Sequence, residues 1–427
     1  MTSPLPTMHL SASHAIPLSN ASYPDRIAFM VELAERLHIY GTTAQRLEGA
    51  LLSVAERLRL ECEPWVSPTA LILSFSDPQR LAGASDVTRV IRLPPGDTDL
   101  HRLAETDRIA EALIAGDMDL ATAFEAMNAL DHPSRWQDRT MEVLAFGLVA
   151  AAVGGLLRLP WLDIGVAAFN GVLIGLLAQL AASRPRLREA SDALLAMVAT
   201  IIAVLVSSFV APLNQNTVII ASLIVLLPGL SLTNAMNELT SQHLVSGTAR
   251  LAGALTTVLK LALGTVIALY ITRLVGLEPA VRAWRPQPDW VEWVALIAAS
   301  LSFAVLFRSR VRDYPLVMLA AASGYLISRF GGLAWGSPAG IFLAALVMTA
   351  AGNAYARWFH RPGAIVRVPG IILLLPGSAS LRGLMDVIQQ QDMGVGQEGL
   401  LTVMNILLAV VAGLLFGNLL LPTRQNL

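Results

Sequence analysis

From residue 141 onward the chain is a succession of apolar segments, each close to the length that crosses a bilayer. A spanning helix needs about 20 mainly apolar residues. Candidates fall near 142–157, 161–182, 191–211, 217–246, 250–274, 290–307, 314–330, 336–358, 368–391 and 398–420. Lipid offers backbone groups no hydrogen-bond partners, so each segment must satisfy its own, and a helix does this. The expectation is a polytopic α-helical membrane protein with about ten transmembrane helices. Composition agrees: 55% of residues are hydrophobic and 14% charged, against about 25% charged in soluble proteins. The charge deficit is confined to residues 141–420, whereas residues 25–140 are charge-dense.

That contrast divides the chain into a tail over residues 1–24 expected to be disordered, an α+β domain over 25–140, and membrane segments over 141–275 and 290–420. Residues 1–20 lack a basic start and an apolar core, so no cleavable signal peptide is expected. In the α+β domain, "DRIAFMVELAERLHIY" and "TTAQRLEGALLSVAERLRL" space their apolar residues as amphipathic helices do, and Thr42 is placed to cap the second. "ALILSFSD" and "VTRVIRL" read as strands, with two further helices near 99–115 and 119–130. No HExxH or GxSxG pattern is present, and Asp107, Arg108 and Glu111 read as ion pairs on a solvated face, so no catalytic site is assigned. The one cysteine, Cys62, cannot close an internal disulfide and fits a reducing compartment. Net charge is −1, which gives no basis for nucleic-acid binding. The partners expected are membrane lipid and a small-molecule solute, with self-association left open; no cofactor or metal is expected.

Two of the apolar segments are interrupted in the same way. "LLPGLSLTNAMNEL" carries Pro228 and Gly229, and "LLPGSASLRGLMDV" carries Pro376 and Gly377. In each, an acid follows ten residues after the proline: Glu238 and Asp386. The ten spans divide into five and five, with the break in the fourth of each half. An odd number of spans per half reverses the second half, giving a 5+5 inverted repeat of the kind found in secondary transporters. Proline removes a backbone donor and frees carbonyls, which is tolerated at membrane depth only beside protein or a water-filled cavity. Paired breaks therefore mark a candidate substrate site, although Pro-Gly also kinks ordinary packing helices. The candidate substrate-binding residues are Pro228, Gly229, Ser231, Thr233, Asn234 and Asn237 on the first stretch. On the second they are Pro376, Gly377, Ser378, Ser380 and Arg382. Serine, threonine and asparagine suit a small zwitterion, and Arg382 suits a carboxylate. Glu238, Asp386 and Lys260 are candidates for proton coupling. Lys260 is the only lysine and falls mid-way along the fifth span, where a charge is expensive and usually faces the protein interior. Pairing with an acid, with no further role, accounts for it equally well. Because Leu261 follows that lysine, the chain has no Walker A motif of its own.

Arginines set the orientation. With the N-terminal domain on the cytoplasmic side, the inward loops hold Arg184, Arg186, Arg188, Arg250, Arg308, Arg310, Arg312, Arg357, Arg361 and Arg367. The outward loops hold fewer, the pattern of cytoplasmic enrichment.

The order of "YGTTAQRLEGAL", "LPPGDTDLHRLAETDRIAEALIAGDMDLATAFEAM", "LLPGLSLTNAMNELTSQHLVSGTARLAGAL" and "VRVPGIILLLPGSASLRGL" resembles the threonine/serine exporter family of bacterial inner membranes, over roughly residues 25–420. The resemblance implies a fused two-half form and proton-driven efflux of threonine and serine. Two-subunit relatives imply dicarboxylate (succinate) export as the alternative. A membrane-anchored enzyme or sensor acting through the N-terminal domain is the competing class.

Overall fold

A computed structural model describes residues 21–78, 86–131, 136–277, 279–280, 286–374, 381 and 393–422. The chain divides into two compact units, one of residues 1–98, 102–133 and 425–427, the other of residues 99–101 and 134–424.

The first unit starts with helices α1 (Tyr23–Ile39) and α2 (Ala44–Arg57). Ser22 caps α1, its Oγ accepting the Asp25 N–H at 3.3 Å, and this satisfies one of the orphan donors of the first turn. The residue that caps α2 is Thr43, one beyond the Thr42 expected from sequence, and its side chain makes no capping bond. Three antiparallel strands follow in the order β1 (Glu61–Ser67), β2 (Ala70–Ser76) and β3 (Val87–Arg92). β2 alternates as a half-buried strand must: Leu71, Leu73 and Phe75 are fully buried, with partly exposed residues between them. Helices α3 (Leu100–Ala115) and α4 (Leu120–Asn128) complete the set. Phe29, Met30 and Leu33 of α1, Leu47 and Leu51 of α2, and Ile109 and Leu113 of α3 are fully buried with the β2 residues. Strand β1 was not legible as a strand, because "ECEPWVS" carries two acids and a proline. The acids point outward, and Cys62 and Val66 point inward. Burial pushes the Cys62 thiol up to about 12, so it stays protonated and unreactive at neutral pH.

Within the second unit, eight helices of the described residues are long and apolar enough to cross a membrane. Helices α5 (Trp136–Leu156), α6 (Trp161–Ala182) and α7 (Pro185–Phe209) come first. The short α8 (Gln215–Ser222), a single 3₁₀ turn at Ile224–Leu226 and α9 (Gly229–Thr240) follow. Next are α10 (Leu244–Leu274), α11 (Asp289–Leu306), α12 (Tyr314–Trp335), α13 (Ser337–Phe359), α14 (Ala364–Ile372) and α15 (Met393–Leu420). The pair α8 and α9 is bent by 56° at its break and makes a ninth span if counted as one. The ninth expected span, 368–391, begins within α14, but its remainder lies almost wholly outside the described residues.

Small residues let these helices approach closely, the usual device where lipid supplies no hydrophobic drive between helices. A Cβ on Gly264 of α10 would lie 2.0 Å from the Ala193 carbonyl oxygen of α7. A Cβ on Gly171 of α6 would lie 2.6 Å from the Phe146 carbonyl oxygen of α5. One apolar cluster joins Ile174 of α6, Ala196, Ala199 and Ala203 of α7, Val218, Ile219 and Ile220 of α8, and Leu261 of α10. A second joins Ile341, Ala344 and Met348 of α13, Ile371 of α14, and Val410 and Leu414 of α15.

Candidate functional site

The first Pro-Gly stretch breaks its helix where the sequence places the break. Leu223 ends α8, Leu227 is extended, and Pro228 stands at the N-terminus of α9. The Pro228 carbonyl accepts the Leu232 N–H at 2.9 Å, so α9 starts directly after the proline. The N-terminal end of a half-helix carries partial positive charge, and it lies here inside a segment of spanning length.

Along α9 the predicted residues fall on different faces. Gly229, Thr233 and Glu238 are buried, while Pro228, Ser231, Asn234 and Asn237 are partly exposed. Among the described residues Thr233 Oγ1 is buried without a hydrogen-bond partner, a position from which a hydroxyl can meet a solute or water. Glu238 is fully engaged. Arg250 Nε and Nη2 donate to its two carboxylate oxygens, each at 3.1 Å, and Ser246 Oγ donates to Oε2 at 2.8 Å. The Glu238 side chain is 0% exposed and the Arg250 side chain 14%. Such a two-pronged guanidinium–carboxylate pair is among the stronger polar contacts available to a protein.

This explains the stretch "SGTAR" that follows the break. Ser246 and Arg250 lie on one face of α10 and grip Glu238. Gly247, between them, lets the two helices close, since a Cβ there would meet Leu239 and the Ala235 carbonyl oxygen at 2.7–3.0 Å. Sequence reasoning counted Arg250 as a loop charge; it is in α10 and serves the break. The grip is reinforced by an apolar contact with the far end of the chain, where Leu232 and Ala254 pack with Val403 and Leu407 of α15.

Lys260 also has partners. Its Nζ donates to the Glu189 carbonyl oxygen at 3.0 Å and lies 3.8 Å from Asp192, both near the start of α7. Although Lys260 is central in its own 31-residue helix, it stands beside the charged first turns of α7, so the acid-pairing reading describes its surroundings.

Of the second Pro-Gly stretch, Pro376, Gly377, Ser378, Ser380, Arg382 and Asp386 lie outside the described residues. Leu381 is described. It is fully buried and belongs to the same apolar cluster as Leu223 and Leu227, which flank the first break. Leu381 from the second stretch and Leu227 from the first thus share one core.

Sequence reasoning missed two buried acids. Asp163 of α6 is 0% exposed and Glu292 of α11 is 5% exposed. Glu292 accepts a 2.8 Å hydrogen bond from the Tyr325 hydroxyl and pairs with Arg329. Both acids sit within the first turn of an apolar helix, where a sequence scan reads them as interfacial. In the first unit, Arg108 pairs with Glu105 at 2.9 Å, and Asp107 is buried near Arg46, its carboxyl pushed up to about 7 by burial and by Glu111. Among the described residues, no group of three or more His, Cys, Asp or Glu side chains converges as a metal site.

The comparisons with known proteins agree with this layout. The ThrE model of threonine/serine exporters matches residues 28–272, and a second model, "Threonine/Serine exporter, ThrE", matches residues 292–420. The pheromone-regulated membrane protein 10 of Pichia sorbitophila is 22% identical over 86% of this chain and 38% of its own length. The proteins of the same name from Yarrowia lipolytica and Eremothecium gossypii are each 23% identical, over 88% and 86% of this chain and 32% and 50% of their own lengths. The chain thus spans half or less of these relatives. No solved structure matches. With family regions matched on both sides of the 276–291 connection, the chain belongs to the threonine/serine exporter family, with both halves in one polypeptide.

Proposed function

We propose that this chain is a secondary exporter of small polar metabolites, threonine and serine foremost, driven by the proton gradient across a bacterial inner membrane. The N-terminal unit faces the cytoplasm, a reading that the distribution of loop arginines supports. The two membrane segments form the 5+5 inverted repeat, and their broken helices enclose the substrate site. Ser231, Thr233, Asn234 and Asn237 bind from the first stretch, and Ser378, Ser380 and Arg382 from the second. Glu238 and Asp386 hold corresponding positions, and Glu238 with Arg250 fixes the broken helix so that its polar face meets the solute.

The observation that carries this reading is the break at Pro228–Gly229 inside an apolar segment, with Leu381 of the matching stretch in the same buried cluster. Its test is flux from vesicles containing the purified chain and loaded with labelled threonine, serine or succinate. Threonine and serine are expected to leave faster when a proton gradient is applied, by about tenfold, a 1.4 kcal/mol change in barrier. Succinate leaving in their place assigns the dicarboxylate alternative, and no gradient-dependent flux of any of the three overturns the reading.

A further inference from the structure

Asp163 is a buried acid of the membrane unit. It lies in the first turn of α6, 0% exposed. One oxygen, Oδ2, accepts both the backbone N–H of Asn214 at 3.0 Å and the Asn214 side-chain amide at 2.8 Å. The other, Oδ1, is buried with no hydrogen-bond partner among the described residues. An ionised carboxylate left this way within a membrane segment is costly. A proton on Oδ1 removes that cost and breaks nothing, because Oδ2 accepts the two N–H donors equally in the acid form. The arrangement therefore supports both charge states of Asp163 with one geometry. Glu238 differs: both of its oxygens are held by Arg250, so a proton there competes with a guanidinium.

Further polar groups lie along the same pair of helices as Asp163. Asn170, seven residues further along α6 and so roughly 10 Å away, donates to the Ala199 carbonyl oxygen at 3.1 Å and to Ser222 Oγ at 3.2 Å. Asn170 Oδ1 and Gln215 Nε2 are buried without partners. Asn214 precedes α8 and Ser222 ends it, so α6 and α8 run side by side with amides and hydroxyls between them. Ser222 lies six residues before Pro228. Close to Asp163 in sequence, Trp161 is exposed, as is Trp290, with ring centroids 5.9 Å apart, as suits a membrane–water interface.

Among the described residues, few charges face Asp163 from the helices packed on α6. α8 has none. Those of α5, Asp138, Arg139 and Glu142, and those of α7, Arg186, Arg188, Glu189 and Asp192, lie at the opposite ends of their helices. Arg158, in the turn before α6, is engaged by Asp289 at 2.7 Å and by the Gln287 carbonyl oxygen at 2.6 Å. A hard metal ion collects about six or more oxygens, which one open carboxylate oxygen does not supply.

We propose that Asp163 is a proton-binding site of this membrane unit, loaded at Oδ1 from the face marked by Trp161 and Trp290 and connected through Asn170 and Ser222 to the Pro228 break. Its role in coupling rests on the exporter reading; its binding of a proton does not. The proton arrives from water, forms an O–H bond at Oδ1, and leaves by the same bond breaking, with no other reactant.

Two measurements test this on the full chain. Dicyclohexylcarbodiimide modifies protonated carboxyls in apolar surroundings, and peptide mass spectrometry locates the adduct. Asp163 is expected to be modified, more slowly as the pH is raised, with sodium ions without effect. No adduct at Asp163, a rate indifferent to pH, or protection by sodium overturns the proposal. In vesicles, Asp163→Asn is expected to keep threonine exchange without a gradient and lose the acceleration by a proton gradient; retained acceleration overturns the coupling role. If Asp163→Asn does not fold, labelling of the unaltered chain decides. Unaltered chain that moves no substrate sinks the exporter reading alone, and labelling still decides the proton site.

Discussion

Arg250→Ala is expected to abolish transport and to cost about 3–5 kcal/mol of stability, the range for stranding one partner of a buried ion pair. The carboxylate of Glu238 is wholly buried, and the loss of Arg250 takes away two of its donors and its counter-charge, leaving the Ser246 hydroxyl on Oε2. Glu238→Gln is milder, because the neutral amide needs no counter-charge and Arg250 keeps 14% exposure to water. The double variant Glu238→Gln with Arg250→Gln should recover much of the loss, since it removes both charges together. Thermal unfolding in detergent reads the stability of all three, and threonine efflux reads their function. Equal loss in the double and the Arg250→Ala variants would show that Arg250 acts through something other than Glu238. Recovered stability without recovered efflux is the result expected if the charge pair also positions the broken helix for its substrate.

The second large effect lies in the other half. A Cβ on Gly324 of α12 would come 1.8 Å from the Gly370 carbonyl oxygen of α14. The obstacle is backbone and cannot rotate away. Gly370 is itself close to a neighbour, but its added Cβ would meet Sδ and Cγ of Met348 at 2.4 and 2.7 Å, the flexible end of an adaptable side chain. Gly324→Ala is therefore expected to cost about 3 kcal/mol or more, and Gly370→Ala closer to about 1 kcal/mol, the two ends of the overpacking range. Helix α14 leads into the second Pro-Gly stretch, so Gly324→Ala should also impair efflux in the protein that still folds. Melting temperatures of the two variants decide the matter, and equal destabilisation would mean that Met348 has no room to move.

The membrane segments were legible because a run of about 20 apolar residues has few other uses. The span 161–182 matches α6 at both ends, and the break at Pro228 appears where proline denies the helix a donor. Pairings between segments were not legible. The acid beside Lys260 was not legible, because sequence gives the lysine's depth within α10 and cannot show that Asp192 of α7 lies alongside. Arg250 looked like a loop charge for the same reason, since its partner is twelve residues back across a helical turn-around. Asp163 and Glu292 lie three or four residues into an apolar helix, where sequence does not separate a buried acid from an interfacial one. In the first unit, β1 escaped notice because its outward positions carry Glu61 and Glu63 while Pro64 interrupts the alternation.

All of these placements serve one claim, that the two Pro-Gly stretches line a common water-accessible site for the exported solute. Single cysteines at Asn234→Cys and Ser378→Cys test it, reacted with a small water-soluble maleimide with and without threonine. Cys62 is buried and its thiol raised to about 12, so the native cysteine stays silent. Both introduced cysteines are expected to react, and threonine is expected to slow both over the same concentration range. A cysteine at either position that reacts no differently with saturating threonine, in a protein that still exports it, would contradict a shared site.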